Sequence, residues 1–181
     1  LGIAQMAQAK YTDAVQSFSN ALASTDGKMP DTVKDLLKYK ITAQYQAEDY
    51  EGCIVSCGEL LALDGKAVMA YFFRGASQLH LGQLQDAKAN FDYAVSLRPN
   101  DYALYLSIYS AYEEMKQSGL GDAYLQTALG IAPSDTEDYY HVGQIYFYLE
   151  QYDEAANALA KPIEEHYIPA ISLMGQIYLA R

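Results

Sequence analysis

The chain has no tryptophan, only five prolines and two cysteines, and 12 basic residues among its 181. Each scarcity excludes something. With 12 Lys and Arg against 23 Asp and Glu, the formal net charge is −11. A sequence-independent nucleic-acid binder needs a basic patch to displace counterions from phosphates, and docking on an anionic membrane needs one too. Both classes are disfavoured, and the acidic balance reads as a solvated surface. No apolar run approaches the roughly 18–20 residues that span a bilayer; the stretch 67–73 is far too short for direct membrane insertion. Cys53 and Cys57 stand four apart on one expected helix face. A helix backbone holds two such sulfurs poorly for a mutual disulfide, so they read as small core residues rather than a metal or redox pair.

What is present is apolar and aromatic. Hydrophobic residues make up 51% of the chain, and 18 residues are tyrosine, a large ring with one hydroxyl that suits half-buried surfaces and binding grooves. The sequence opens at Leu1-Gly2 inside a helical pattern and closes at Arg181 on another, so it reads as a fragment of a longer polypeptide.

The apolar pattern repeats. Ala87, Phe91 and Ala94 fall on one helical stripe with Pro99 behind them as a stop, and Tyr71, Gly75 and Gln78 mark the face of a preceding helix. A shift of 34 residues finds Tyr105, Tyr109, Tyr112, Gly121, Leu125 and Ala128, with Pro133 after them. A second shift finds Tyr139, Gly143, Tyr146, Ala155, Leu159 and Pro162; one shift backwards finds Leu37, Ile41, Gln44, Cys53, Cys57 and Leu60. Four repeats share one register without a gap, and a fixed period of this length marks a stack of supersecondary units.

On these residues the chain resembles the tetratricopeptide-repeat (TPR) family, whose pattern runs aromatic–x2–Leu–Gly–x2–Tyr, then Ala–x3–Phe, Ala and Pro. Tyr71 to Pro99 matches it best. A truncated first unit keeps Leu1-Gly2, Ala14, Phe18 and Ala21, and a sixth begins with Leu173, Gly175 and Tyr178, which with Pro169-Ala170 also resembles Sel1-like repeats. The resemblance implies an all-α fold, a right-handed superhelical solenoid of antiparallel helix pairs. It divides a single array, 1–181, into repeats near 1–30 (truncated), 34–67, 68–101, 102–135, 136–166 and 167–181 (truncated).

First helices are expected over 31–47, 66–81, 101–116, 136–149 and 167–180, and second helices over 12–23, 50–63, 84–97, 120–131 and 152–160. Asp101 and Ser134-Asp135 supply capping side chains, and Pro162 should end or kink the fifth second helix early. The one long connection, 24–30, contains Asp26-Gly27 and stretches the first interval to 39 residues. Small residues at Ala14, Ala87, Ala155, Gly75 and Gly143 let paired helices approach. In the fourth repeat Tyr109 takes the glycine position and Gly121 the alanine position, which predicts a hairpin with its large and small partners exchanged.

Catalysis finds no constellation. G-x-S-x-G, Walker and H-E-x-x-H motifs are absent from the sequence. Gly119-Leu120-Gly121 is a lone turn. His80, His141 and His166 have no ligand-like spacing, and Glu113-Glu114 and Glu164-Glu165 diverge by about 100° on a helix. Neither a catalytic site, a metal site nor a cofactor is expected.

In the family the first helices line a groove that takes extended peptides or partner helices. Carried over by register, that groove comprises Tyr39, Thr42, Tyr45, Met69, Phe72, Phe73, Leu106, Ser107, Ser110, Tyr140, His141, Gln144 and Phe147. The family's clamp for a chaperone's C-terminal carboxylate needs Lys, Asn and Arg over three repeats. Here those positions read Lys38, Thr42, Phe73, Ala103 and Ser107, or Phe72, Ala76, Ser107, Glu137 and His141, so that partner is not expected. The groove is instead aromatic, and rigid aromatics make good anchors. The sequence thus points to a protein–protein interaction scaffold holding a peptide or helix segment. Self-association through exposed array ends and substrate recruitment for a larger enzyme are the alternatives.

Overall fold

A computed structural model describes residues 1–25 and 29–181. Asp26-Gly27, in the expected long connection, lies outside the described residues. Among those described there is no strand, and the chain divides into two compact units, Leu1–Pro99 and Asn100–Arg181.

The first unit holds α1 (Gly2–Ala7), α2 (Tyr11–Ser24), α3 (Pro30–Gln46), α4 (Tyr50–Leu63), α5 (Val68–His80) and α6 (Leu84–Leu97). Each helix packs on the next, and the first helices α3 and α5 also touch. Leu37, Ile41, Cys53, Cys57, Leu60, Ala67 and Ala70 form one core cluster, and Ala14, Phe18 and Ala43 a smaller one. Both cysteines are free and buried; the neighbouring Cys53 sulfur and burial push the Cys57 thiol far up, so it stays protonated.

The second unit holds α7 (Tyr102–Glu114), α8 (Ser118–Ala128), α9 (Thr136–Tyr148), α10 (Tyr152–Ala158), α11 (Ala160–Glu164) and α12 (Ile168–Ala180). Here α9 is the hub, packing on α7, α10, α11 and α12. Ala155, Leu159, Ala170, Leu173 and Ile177 form its core cluster.

Helix ends follow local chemistry. Asp101 caps α7 by accepting from the Leu104 N–H at 3.1 Å, and Asp135 caps α9 by accepting from the Asp138 N–H at 2.9 Å. Ser134 has a different role: its N–H and hydroxyl donate to the Asp138 carboxylate at 2.9 and 2.7 Å. Asp49, unforeseen, caps α4 through the Gly52 N–H. With the helix pairs α1–α2, α3–α4, α5–α6, α7–α8 and α9–α10/α11 taken as hairpins one to five, the second helix of hairpin five breaks where Pro162 demands it. Proline has no N–H for the Ala158 carbonyl, so α10 stops at Ala158 and the chain resumes as α11. α8 begins at Ser118, earlier than 120, and it ends earlier than 131 because the chain turns at Leu129-Gly130 ahead of Pro133.

Every first helix that turns into a second one does so through a left-handed residue at the same repeat position: Ala9, Glu48, Gly82, Lys116 and Glu150. The following N–H reaches back to the helix, as in Gln83 to Gln78 at 2.8 Å and Gln151 to Tyr146 at 2.8 Å, which closes the helix and aims the chain back along it. Only hairpin three uses glycine there.

The close helix contacts show how the repeat tolerates substitution. A methyl built on Gly75 would stand 2.9 Å from the Phe91 ring and 3.1 Å from the Ala87 carbonyl, and one on Gly143 2.6 Å from Leu159 Cδ2. Gly2 sits equally tight against Phe18. In hairpin four the contact is inverted: a methyl on Gly121 would meet the Tyr109 ring at 3.0 Å and its Cα at 3.3 Å, and Tyr109 is only 7% exposed. The exchange of large and small partners read from the sequence is therefore present. Hairpin two solves the same problem a third way, with Ile41 at the glycine position and the small Cys53 and Cys57 opposite, all fully buried.

Candidate binding groove

The thirteen groove positions are distributed unevenly. In the first unit Tyr45, Met69 and Phe73 are spent on packing: they lie half-buried against the core between α3 and α5. Tyr45 meets Phe73 edge-on at 5.2 Å, and its hydroxyl is 3.2 Å from His80 Nε2. Phe72 is edge-on to Phe73 and 6.0 Å from Phe91. Tyr39 stacks on Phe18 at 5.6 Å while staying exposed. Thr42 donates to the Lys38 carbonyl at 3.1 Å. Tyr45, Met69, Phe72 and Phe73 thus pack in seams between helices, Tyr39 lies over Phe18, and Thr42 bonds only to its own helix.

In the second unit Ser107 and Ser110 are exposed, the Ser107 hydroxyl donating to its own helix at Ala103, and Leu106 is half-buried. His141 turns toward Tyr102, ring centroids 6.2 Å apart, and its Nδ1 is buried without a hydrogen-bond partner. Tyr140, Gln144 and Phe147 are brought together. They line one cleft of about 340 Å³ between α9 and α12, closed on the far side by Pro169, Ser172, Leu173 and Gln176.

The local sequence explains the cleft. Gly143 and Ile145 are the buried side of α9, which leaves Tyr140, Gln144 and Phe147, at i, i+4 and i+7, on a face directed at α12. Tyr140 is braced edge-on by Tyr167 at 5.3 Å, and Phe147 by Tyr148 and Tyr152 at 5.9 and 6.0 Å. Burial, and behind it the neighbouring tyrosines, pushes the Tyr140 hydroxyl up from its ordinary value, so it stays a neutral phenol. Leu173 is buried at the base. The polar lining consists of amides and hydroxyls; none of its eight residues carries a formal charge at neutral pH.

The far wall escaped the register reading because the period changes. The break at Pro162 shortens the interval from Gly143 to Gly175 to 32 residues, and Tyr140, His141 and Gln144 shifted by 32 fall on Ser172, Leu173 and Gln176. A signal was present: Gly-Gln-Ile-Tyr occurs at 143–146 and again at 175–178, placing one glutamine on each wall. Gly175 itself has open space around it.

Among the described residues no group of three or more His, Cys, Asp and Glu side chains could hold a metal ion. No helix among them is long and apolar enough to cross a membrane.

Hairpins of this geometry, repeated in this register, define an all-α helical-repeat scaffold. Residues 139–164 match the family described as "Tetratricopeptide repeat". It is 28% identical over 129 residues to the mitochondrial import receptor subunit TOM70 of Homo sapiens, covering 68% of this chain and 21% of that protein. The chain thus matches about a fifth of that relative's length. Among solved structures it is similar to a thermophilic TPR protein of Thermus thermophilus, with a TM-score of 0.61, 19% identity, and coverage of 99% of this chain and 95% of that one. It is also similar to MamA from Desulfovibrio magneticus, with a TM-score of 0.57, 19% identity, and coverage of 90% and 89%. These structural likenesses concern the fold. A family of this kind supplies protein–protein interaction scaffolds.

Proposed function

We propose that the chain is a non-catalytic scaffold module that holds an extended, uncharged peptide segment in the cleft between α9 and α12. One observation carries the reading: a charge-free aromatic cleft with a glutamine on each wall, Gln144 and Gln176. A primary amide offers both a donor and an acceptor, the complement of a peptide unit. Two such amides flanking an aromatic floor suit a main chain whose side chains rest on Tyr140 and Phe147. Charged ligands gain nothing there, and of the chaperone-type carboxylate clamp's basic and amide residues only Lys38 stands at a matching position. That the human relative is named as an import receptor subunit is in keeping with a surface that holds polypeptide.

Selection of a random peptide library on the protein tests this, with the Gln144→Glu, Gln176→Glu double variant as counter-target after its helicity has been checked. Peptides that bind the parent and lose at least about tenfold in affinity for the variant, roughly one hydrogen bond's worth, support the reading. Peptides that bind both equally place recognition elsewhere and overturn it.

A second reading is self-association, favoured by α12 itself, where Ile171, Tyr178 and Leu179 are 51%, 68% and 90% exposed. Light scattering across a concentration series separates the two: a mass independent of concentration removes self-association.

A further inference from the structure

On the side of α5 opposite Met69, Phe72 and Phe73, the first unit contains a second cavity, of about 490 Å³, between α4, α5 and α6. Its centre is a polar trio. Arg74 Nε and Nη2 both donate to Asn90 Oδ1, at 2.8 and 2.6 Å. Asn90 is buried and spends its own amide on the Gln78 side-chain carbonyl at 2.6 Å and the Asp86 main-chain carbonyl at 2.9 Å.

Packing alone does not call for these residues. At the same repeat positions hairpin four has Ile108, Tyr112 and Tyr124, all buried, with the two tyrosine rings stacked at 5.9 Å. Burying polar groups costs free energy unless they are satisfied: Asn90 is buried and satisfied, whereas Arg74 and Gln78 are only half-buried and keep donors in reserve. A guanidinium has five N–H donors; two go to Asn90. The outer Arg74 donors and the Gln78 amide N–H groups remain in the cavity lining without a partner among the described residues. Arg74 forms no ion pair among those residues either, although the sequence has 23 Asp and Glu. Its guanidinium is held over the Tyr71 ring, Cζ 5.2 Å from the centroid, and Tyr71 lies 4.5 Å from Tyr93. The result is a positioned, planar, positively charged donor set with an aromatic border.

We propose that this notch binds a carboxylate of a protein partner, either an Asp or Glu side chain or the partner's terminal carboxylate. Asn90 fixes the guanidinium from behind, the outer Arg74 N–H groups meet the two carboxylate oxygens, and Gln78 supplies a further donor. Arg–carboxylate pairing is planar and bidentate, which fits a guanidinium whose plane is already set. Asp86, on the cavity lining, opposes the anion and keeps the site weak.

The test reads the arginine Nε–Hε resonances by NMR at constant ionic strength. The chain has three arginines, so Arg98 and Arg181 serve as internal controls. N-acetylglutamate α-methylamide probes the side-chain source, N-acetylalanine the terminal source, and N-acetylglutamine methylamide is the uncharged control. The expected result is a saturable shift at Arg74 with at least one carboxylate, none with the amide, and none at the other two arginines. Asp86→Asn should tighten binding about threefold or more by removing a nearby like charge. Gln78→Ala, which leaves the Arg74–Asn90 pair in place, should weaken it. A shift that rises linearly without saturation, appears equally with the amide, or moves all three arginines together overturns the proposal. Tighter saturation by inorganic phosphate than by either carboxylate overturns the choice of ligand.

Discussion

In hairpin three the close helix contact is made by Gly75 on the first helix beneath Phe91 and Ala87 of the second; in hairpin four Tyr109 stands in the glycine's place and Gly121 in the alanine's. Both contacts are tight. The repeat therefore keeps a summed volume at the crossing and leaves open which helix supplies it. Hairpin two, with Ile41 over Cys53 and Cys57, makes the same point with intermediate residues. What differs is closeness: a methyl on Gly75 would meet a Phe91 ring carbon at 2.9 Å and the Ala87 main-chain carbonyl at 3.1 Å, one on Gly121 a Tyr109 ring carbon at 3.0 Å and the Tyr109 Cα at 3.3 Å.

The largest effect expected is from Phe91→Ala, which empties the hairpin-three contact and should cost about 3–5 kcal/mol in urea unfolding. Next comes a double-mutant cycle on hairpin four. Tyr109→Ala should cost about 3 kcal/mol, and Gly121→Ala in that background should recover part of it, giving a coupling of about 1 kcal/mol. Strict additivity would mean that the two residues do not share a contact. A smaller effect belongs to the turns, where hairpins three and five differ by one residue. Glu150 holds a left-handed φ of 59° at the position Gly82 occupies with 75°. Glu150→Gly should stabilise by about 0.5–1 kcal/mol and Gly82→Ala destabilise by about 1 kcal/mol, read from thermal unfolding.

The smallest effect concerns pH. Burial by itself would raise the Asp138 carboxyl, but hydrogen bonds from Ser134, with His141 and the backbone helping, bring it below the ordinary aspartate value. A carboxyl depressed on folding contributes stability that is present above its unfolded pKa, near 3.9, and lost as pH falls through its folded value. Ser134→Ala should move the Asp138 titration upward and shrink that acid-side loss, as an NMR titration of the carboxyl would show.

Much of the fold could be read from residue spacing. Helices over 50–63 and 84–97 fall where the apolar stripe places them, the break near Pro162 follows from a missing N–H, and the inverted hairpin follows from Tyr109 and Gly121 exchanging size. The shared turn was hidden because Glu48, Lys116 and Glu150 are not residues that advertise a positive φ. Register gave the face of each first helix but not its neighbours, so Tyr45 and Phe73 stood beside Tyr140 and Phe147 as equals. Only packing separates them, the first pair wedged between α3 and α5 and the second facing a cleft. The far wall of that cleft was shifted out of register by the same proline that was itself legible. Of the Arg74–Asn90–Gln78 trio, register placed Gln78 on the marked face of its helix, but Arg74 and Asn90 look like surface until their hydrogen bonds are seen.

The most direct test of the groove follows the side-chain amides of Gln144 and Gln176 by NMR while a peptide selected on the protein is added. A working α9–α12 cleft predicts that both shift and saturate together at the peptide's dissociation constant. A peptide that binds while both amides stay still would show that the α9–α12 cleft is not the working surface.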